Sequence, residues 1–403
     1  MKNKVSLQKI YINYIFPIYV ISNILTGTIL AFAPEGGTNH FRMVLKMIRY
    51  AIYIVSIFYA SSRWRVKKQG LIYALVISTV VLVSLVVNHN VQIICSMFVF
   101  WALTDYPWET IMKKHYQWLL TVLLVIVSLS QIGIIQDFIR NEKNRQRHFL
   151  GFNWTTYAPI ICFFIVVSFF CLKKGSVRLF QLVLFMALAT ILYILTVTRL
   201  AYVMTVLFIL FVPVYNYLEK RKKYLKLLTS FTVFAPFLCA AVAIAIHALY
   251  NPGSPFFVKL NALLSHRLYF GYQGITNYGI KMIGQPIEWK GFDMTVWTFD
   301  DYNYIDCSYL HILLEYGVIF LLVFCILLTL GIRQAYKKNK YYLCWALCFI
   351  CILGITETWL LNFTFNPFLW CGVSFFQGIK RQIPDPDKKY TLTIRNMSEK
   401  VVK

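Results

Sequence analysis

"LFQLVLFMALATILYILTVTRLAYVMTVLFILFVPVYNYL", residues 179–218, decides the fold. Arg199 is the only charged residue in this stretch. About 20 consecutive apolar residues are enough for a helix to cross the hydrocarbon core of a bilayer. The length therefore predicts two membrane spans joined by a tight turn near Arg199.

Similar apolar runs recur along nearly the whole chain of 403 residues, of which 59% are hydrophobic and 14% charged. Soluble domains carry about 25% charged residues. We therefore predict an all-α polytopic membrane protein with about 12 transmembrane helices and one large extracytoplasmic loop. Nine spans lie in residues 1–249, the loop covers 250–307, three spans lie in 308–379, and a basic tail follows at 380–403. The predicted spans are 11–33, 41–60, 70–87, 91–105, 117–135, 154–172, 179–197, 200–218, 227–249, 308–331, 341–361 and 366–379.

The distribution of positive charge gives the orientation. The net charge of +24 would suit a nucleic-acid partner, but the cations lie mostly in short loops on alternate sides of the apolar runs. With both termini in the cytoplasm, 28 lysines and arginines fall in cytoplasmic segments and 9 in outer ones. Cytoplasmic loops of membrane proteins carry this excess. We therefore expect a multi-pass protein with cytoplasmic termini and no nucleic-acid partner. The ten cysteines lie mainly in apolar runs, and we expect neither a disulfide framework nor a metal site.

The long polar segment 250–307 is the main departure from the apolar pattern. It contains repeated glycines and prolines, several acids, and aromatic residues such as Tyr269. Loops longer than about 15 residues are uncommon and usually functional. A helical patch is expected around residues 256–274. Aromatic rings interleaved with acids and amides suit sugar ligands.

Outer arginines are informative because the insertion bias works against them. Arg145 and Arg147 precede a predicted membrane re-entry, Arg199 lies between two spans, and Arg267 lies in the long loop. A solvated loop, an anchor to lipid headgroups and snorkelling to the interface remain alternatives. Together the four arginines predict one electropositive outer cavity. A guanidinium grips phosphate bidentately and keeps its charge, so a lipid-linked glycan diphosphate fits this cavity.

Two segments after the loop carry further polar candidates. "DCSYLHILLEYGVIF", residues 306–320, places Asp306, Tyr309 and His311 at the start of a helix, although Asp306 also suits a helix cap. "ITETWLLNFTFNPFLW", residues 355–370, contains Glu357. Glu315 and Glu357 are acids within apolar runs, and such residues are functional candidates or partners of the arginines.

These motifs resemble the O-antigen and capsular polysaccharide polymerases of the Wzy type, within the superfamily that includes the O-antigen ligases. The resemblance rests on the order of five segments: "RQRHFLGF" (145–152), "TRLAY" (198–202), "HRLYFGYQGITNYGIKMIG" (266–284), "DCSYLHILLEYG" (306–317) and "TETWLLNFTFN" (356–366). It implies a glycosyltransferase of the bacterial cytoplasmic membrane that acts on undecaprenyl-pyrophosphate-linked repeat units at the outer face. The ligases place a histidine eleven residues before a glycine, whereas counting back from Gly317 reaches Asp306, which favours a polymerase.

The resemblance and the residues give a set of expected roles, with no cofactor and no metal. The expected catalytic residues are Arg267, Arg199, Asp306 and His311. The expected substrate-binding residues are Arg145, Arg147, Tyr269, Tyr309 and Glu357. Expected partners are the lipid-linked oligosaccharide, membrane lipid, a flippase and a chain-length regulator. A lipid-linked oligosaccharide flippase, a ligase that uses another acceptor, and a non-catalytic partner of a synthesis complex remain alternatives.

Overall fold

The computed structural model describes residues 7–33, 37–63, 68–89, 91–104, 106–142, 145–291 and 302–372. The predicted basic tail, 380–403, and the end of the last predicted span lie outside these residues. Part of the predicted outer loop, residues 292–301, lies outside them as well.

The described residues of the N-terminal half form helices and a hairpin, with short connections between them. A π-helical turn at Tyr11–Ile15 separates α1 from α2. The hairpin strands pair antiparallel, with Arg140 opposite Arg147. The bounds are α1 Leu7–Ile10, α2 Phe16–Thr26, α3 His40–Arg63, α4 Lys68–Asn88, α5 Val91–Leu103, α6 Trp108–Gln131, β1 Ile139–Glu142 and β2 Arg145–His148.

The opening stretch of the sequence analysis forms two helices with a two-residue connection. Val197 has a left-handed backbone with φ of 52°, and its N–H donates to the Tyr193 carbonyl at 2.7 Å. A left-handed residue at this position is a common way to end a helix. The tight turn predicted near Arg199 is therefore present. The helices of this part are α7 Tyr157–Leu172, α8 Leu179–Thr196, α9 Arg199–Lys220, α10 Lys222–Ser230 and α11 Ala235–Ala248.

The burial pattern fits a helical membrane protein. Helix α7 is buried on almost every side, as expected for a helix that is apolar all round and lies in the core. Helix α8 instead exposes large apolar side chains, including Leu179, Leu184 and Ile194. Among the described residues, 5 helices are long and apolar enough to cross a membrane: His40–Ser62, Leu179–Thr196, Arg199–Lys220, Lys222–Ala248 and Ser308–Lys337. Shorter apolar helices accompany them.

The segment predicted as the outer loop contains two helices where one helical patch was expected. These are α12, Pro255–Leu263, and α13, Arg267–Tyr278. They are separated by Leu264, Ser265 and His266, and the last two have left-handed backbones. The long helix α14, Ser308–Lys337, and α15, Tyr341–Leu353, follow. Short 3-10 turns at Thr358–Leu361 and Pro367–Gly372 complete the described chain.

Helix α14 is interrupted at Gly317, where φ is 88° and ψ is 174°. The N–H groups of Val318 and Ile319 donate to the carbonyls of Lys281 and Met282, both at 3.1 Å, and the Glu315 carbonyl accepts the N–H of Gln285 at 3.1 Å. Backbone groups released by the break are thus paired with the preceding loop segment, as buried N–H and C=O groups require. The break joins the loop to the first part of α14.

Candidate functional site

A buried cluster of one cation and two carboxylates lies between α13 and the segment after α15. Nε of Arg267 lies 3.2 Å from Oδ2 of Asp306, and its Nη1 lies 2.9 Å from Oε1 of Glu357. The same nitrogen donates to the Thr356 carbonyl. The side chains of Arg267, Asp306 and Glu357 are 14%, 29% and 3% exposed. Asp306 is therefore the member of the cluster most open to a ligand.

The electrostatics of this cluster favour a charged guanidinium. Burial alone would lower the pKa of Arg267, but the nearby Asp306 and Glu357 raise it well above its ordinary value. A buried charge is tolerated when it is paired and hydrogen-bonded. Counted with all three groups ionised, the cluster has a formal net charge of −1.

His311 lies next to this cluster, one turn into α14. Its Nε2 is 3.6 Å from Oε2 of Glu315, which also accepts the indole N–H of Trp289 at 2.8 Å. The rings of Trp289 and Tyr304 pack against the imidazole with centroids 4.5 and 5.6 Å away. Nδ1 of His311 is buried and has no hydrogen-bond partner in the described part of the chain. Contacts with Glu315, Trp289 and Tyr304 thus fix the imidazole, and none of these contacts is a hydrogen bond to its Nδ1.

A cavity of about 210 Å³ lies between α2, α5, the start of α14 and the 3-10 turn after α15. His311 lines it, Thr358 directly follows Glu357 in sequence, and Tyr304 lies two residues before Asp306. Among the described residues, its lining includes no Asp, Glu, Lys or Arg. The lining residues are Tyr19, Ile93, Ser96, Tyr304, Ser308, His311, Ile312, Tyr316, Thr358, Trp359, Leu361, Asn362, Phe363 and Thr364.

The wall of the cavity is fixed by hydrogen bonds. The Tyr304 and Thr358 hydroxyls lie 3.1 Å apart. Burial raises the pKa of the Tyr304 phenol well above its ordinary value despite this bond, so the hydroxyl stays neutral. Ser308 donates to the Glu357 carbonyl at 2.5 Å and accepts the N–H of Leu360 at 3.1 Å. Through Ser308, the start of α14 fixes the position of the segment that carries Glu357.

Among the other outer arginines, Arg147 contacts the end of α8. Nε of Arg147 donates to the Thr196 carbonyl at 3.1 Å, and its Nη2 donates to the Thr155 hydroxyl at 2.7 Å. Arg199 is exposed in the first turn of α9. Arg145 is exposed in β2. Arg147 therefore contacts the end of α8, whereas the partners of Arg267 are Asp306, Glu357 and the Thr356 carbonyl.

An aromatic contact connects the two regions. The Tyr157 ring, two residues after Thr155, packs on the Trp359 ring with centroids 5.2 Å apart. Trp359 lines the cavity. The chain at the start of α7 therefore contacts Arg147 through Thr155 and a cavity residue through Tyr157.

The two predicted tyrosines lie away from the cavity. Tyr309 is fully buried, and its hydroxyl donates to the Cys351 carbonyl at 3.0 Å. Tyr309 does not share a helix face with Asp306, because α14 begins only at Ser308. Tyr269 is 39% exposed on α13, where its hydroxyl accepts a hydrogen bond from Gln273 at 2.6 Å.

Sequence reasoning did not assign roles to Ser308, Thr358 and Trp359. Their only signal is position, because Ser308 lies two residues after Asp306, and Thr358 and Trp359 directly follow Glu357. No protein-family model, curated protein or solved structure matches the chain. The fold and composition define an α-helical membrane protein with a polar cluster and a neutral cavity within its helical bundle.

Proposed function

We propose that the chain is a polysaccharide polymerase, a metal-independent glycosyltransferase with a lipid-pyrophosphate donor. It would join undecaprenyl-pyrophosphate-linked oligosaccharide repeat units at the outer face of the bacterial cytoplasmic membrane, for capsule, exopolysaccharide or O-antigen. Twelve spans with both termini in the cytoplasm are part of the proposal. The observation that carries it is the pairing of Arg267 with Asp306 and Glu357 beside a cavity lined by His311.

The reaction needs one hydroxyl nucleophile and one departing diphosphate. A hydroxyl oxygen of the acceptor glycan attacks the anomeric carbon of the donor, a new glycosidic bond forms, and the bond to the diphosphate breaks. The lipid diphosphate leaves with the bonding electrons, and the hydroxyl proton passes to Asp306 or His311. Such a proton acceptor must lie within hydrogen-bonding reach of the hydroxyl. The open carboxylate of Asp306 and the imidazole at the cavity wall support these roles.

The arginines divide into two roles in this proposal. Arg267 is outnumbered by carboxylates, so it holds Asp306 and Glu357 in place and connects the loop to the helices. The diphosphate binds instead at Arg199 and Arg147, with Arg145 nearby. The hydrogen bonds of Arg147 to the Thr196 carbonyl and the Thr155 hydroxyl hold its guanidinium at the end of α8, three residues before Arg199. Donors placed where charge develops stabilise the transition state, and arginine suits a diphosphate.

Replacing Arg199 tests this proposal with little risk to folding, because the side chain is exposed. In cells that lack their own copy of the gene, Arg199→Ala is expected to shorten the polymer strongly and leave single repeat units on the outer face. Lys223→Ala is a matched control, because Lys223 is an exposed cation in the first turn of α10. The lysine variant Arg199→Lys should restore part of the activity.

Arg267→Ala is measured alongside, and its amount in the membrane is compared with that of the wild type. Normal polymer from both Arg199→Ala and well-folded Arg267→Ala would refute the proposal. Single repeat units retained on the inner face would indicate a flippase, and normal polymer that is not attached to its final acceptor would indicate a ligase. Tyr269 is expected to contact sugars of the lipid-linked substrate. Membrane lipid, a flippase and a chain-length regulator are the proposed partners.

A further inference from the structure

The size and the lining of the cavity that His311 lines indicate which kind of ligand it can bind. Pockets for drug-sized molecules measure roughly 300–1,000 Å³, and this cavity is about 210 Å³. It has room for one ring rather than for an extended oligosaccharide. Its wall combines aromatic rings with hydroxyl and amide groups.

Asn362 provides a donor whose direction is fixed. Its Oδ1 accepts the backbone N–H groups of Thr364 and Phe365, both at 3.0 Å. These two bonds determine which side of the amide is oxygen and which is nitrogen. The Nδ2 group makes no hydrogen bond within the described part of the chain. A residue at the cavity wall therefore holds two N–H donors that are already oriented and unused.

Hydroxyl groups and aromatic faces complete the lining. The Tyr304 and Thr358 hydroxyls form one pair, and Tyr19 and Ser96 form a second pair at 3.3 Å. Each hydroxyl can both donate and accept. The indole of Trp359 contributes an aromatic ring to the wall, and the C–H face of a sugar stacks on such rings. This set of groups matches a ligand with many hydroxyls.

The surrounding charges oppose an acidic ligand. No lysine or arginine from the described ranges lines the cavity. The adjacent cluster holds one guanidinium against the carboxylates of Asp306 and Glu357, and Glu315 lies beside His311. Like charges at close range cost free energy, especially away from bulk water. A uronic acid or a phosphate group is therefore disfavoured relative to an uncharged ring.

We infer that this cavity binds one uncharged sugar ring. The assignment of that ring as the terminal sugar of the acceptor rests on the proposed function, since it places a sugar hydroxyl next to His311. The binding itself requires only the cavity. The cavity then selects neutral over acidic sugars at the acceptor end.

Binding is measured on the purified full-length chain by saturation-transfer NMR. The probes are neutral methyl glycosides of glucose, galactose, mannose, rhamnose and N-acetylglucosamine, with methyl glucuronide and inorganic phosphate for comparison. Asn362→Asp is the central variant, because a carboxylate still accepts both backbone N–H groups while the two donors are lost. Loss of one or two hydrogen bonds is expected to weaken binding of the neutral glycoside about 5- to 100-fold.

Asn251→Asp is the matched control, because Oδ1 of Asn251 accepts the N–H of Gly253 in an exposed turn of the same kind. It should bind the glycoside like the wild type. Trp359→Phe should also weaken binding, whereas Trp345→Phe, whose indole bonds to Thr229, should not. Thermal unfolding of every variant shows that the fold is retained.

Three results would overturn the inference: no neutral glycoside bound up to its solubility limit, methyl glucuronide bound as well as the neutral probes, or Asn362→Asp bound like Asn251→Asp. The two proposals fail separately. Glycoside binding with normal polymer from the Arg199 and Arg267 variants would refute the polymerase and keep the cavity. Polymer loss in the Arg199 variant, together with no glycoside binding, would refute the sugar site in the cavity and keep the polymerase.

Discussion

The break in α14 gives a quantitative prediction for Gly317→Ala. Gly317 has φ of 88° and ψ of 174°, a region that side-chain-bearing residues avoid at a cost of about 1–3 kcal/mol. An added Cβ would also lie within 3.0 Å of backbone atoms of Met282, Ile283 and Gly284. Backbone atoms cannot rotate away as a flexible side chain does, so overpacking adds about 1–3 kcal/mol. The expected loss of stability is about 2–6 kcal/mol.

Gly279→Ala separates these two contributions. Gly279 has φ of 63° and ψ of 171°, a similar backbone conformation, but no atom lies within 4 Å of an added Cβ. Only the backbone cost of about 1–3 kcal/mol applies there. Gly291→Ala is a further control, because its added Cβ would meet only ordinary contacts of 3.5–3.6 Å with Tyr304. Its effect should be small.

Thermal unfolding in detergent, followed by tryptophan fluorescence, is the first measurement. The order of melting temperatures should be Gly317→Ala lowest, Gly279→Ala intermediate, and Gly291→Ala near the wild type. Hydrogen exchange is the second measurement. The amides of Val318 and Ile319 should exchange faster in Gly317→Ala, because their acceptors lie on the displaced segment. Equal melting of the first two variants, with unchanged exchange, would refute the reasoning.

Three further predictions concern the ion pairs and one buried hydroxyl. Arg267→Met should destabilise the protein by about 3–5 kcal/mol, because it leaves a buried carboxylate unpaired. Adding Glu357→Gln should recover part of this loss in a double-mutant cycle. Fully additive effects of the two substitutions would argue against the ion pair. Tyr309→Phe should cost about 0.5–1.5 kcal/mol through loss of its hydrogen bond to the Cys351 carbonyl, as measured by thermal unfolding. Lys340→Ala should change stability by no more than about 1 kcal/mol, because its pair with Glu109 at 2.8 Å is partly exposed; a larger shift in melting temperature would show that this pair is stronger than surface ion pairs usually are.

The local features of the fold could be predicted from the sequence. Residues 179–218 contain enough apolar length for two helices and one polar interruption, and the structure turns there. The patch predicted at 256–274 is helical, but its division at Ser265 and His266 depends on left-handed backbones that neither residue type strongly signals. The interruption at Gly317 was also not predicted. An isolated glycine in an apolar helix was its only signal, and the segment that fills the break lies more than 30 residues earlier in the chain.

The sequence predicted which residues are candidates for the site, but it did not predict which of them form ion pairs with each other. Rare acids within apolar runs identified Glu315 and Glu357 as candidates, and pairing with arginine was one of the expected roles. Glu357 does pair with Arg267, but the two are 90 residues apart in sequence. No local pattern specifies such a contact. Asp306 precedes α14 and pairs with Arg267, while Cys307 occupies the cap position.

The junction at Gly317 has a consequence for constructing chimaeras of this protein. Residues 281–285 and 315–319 exchange backbone hydrogen bonds, so the two segments should be transferred together, although a conventional loop swap would separate them. A graft of residues 250–307 alone would carry half of that contact into a foreign helix. A graft that extends to Phe320 transfers both hydrogen-bonded segments together. The boundary of the graft then lies inside α14 instead of at its start.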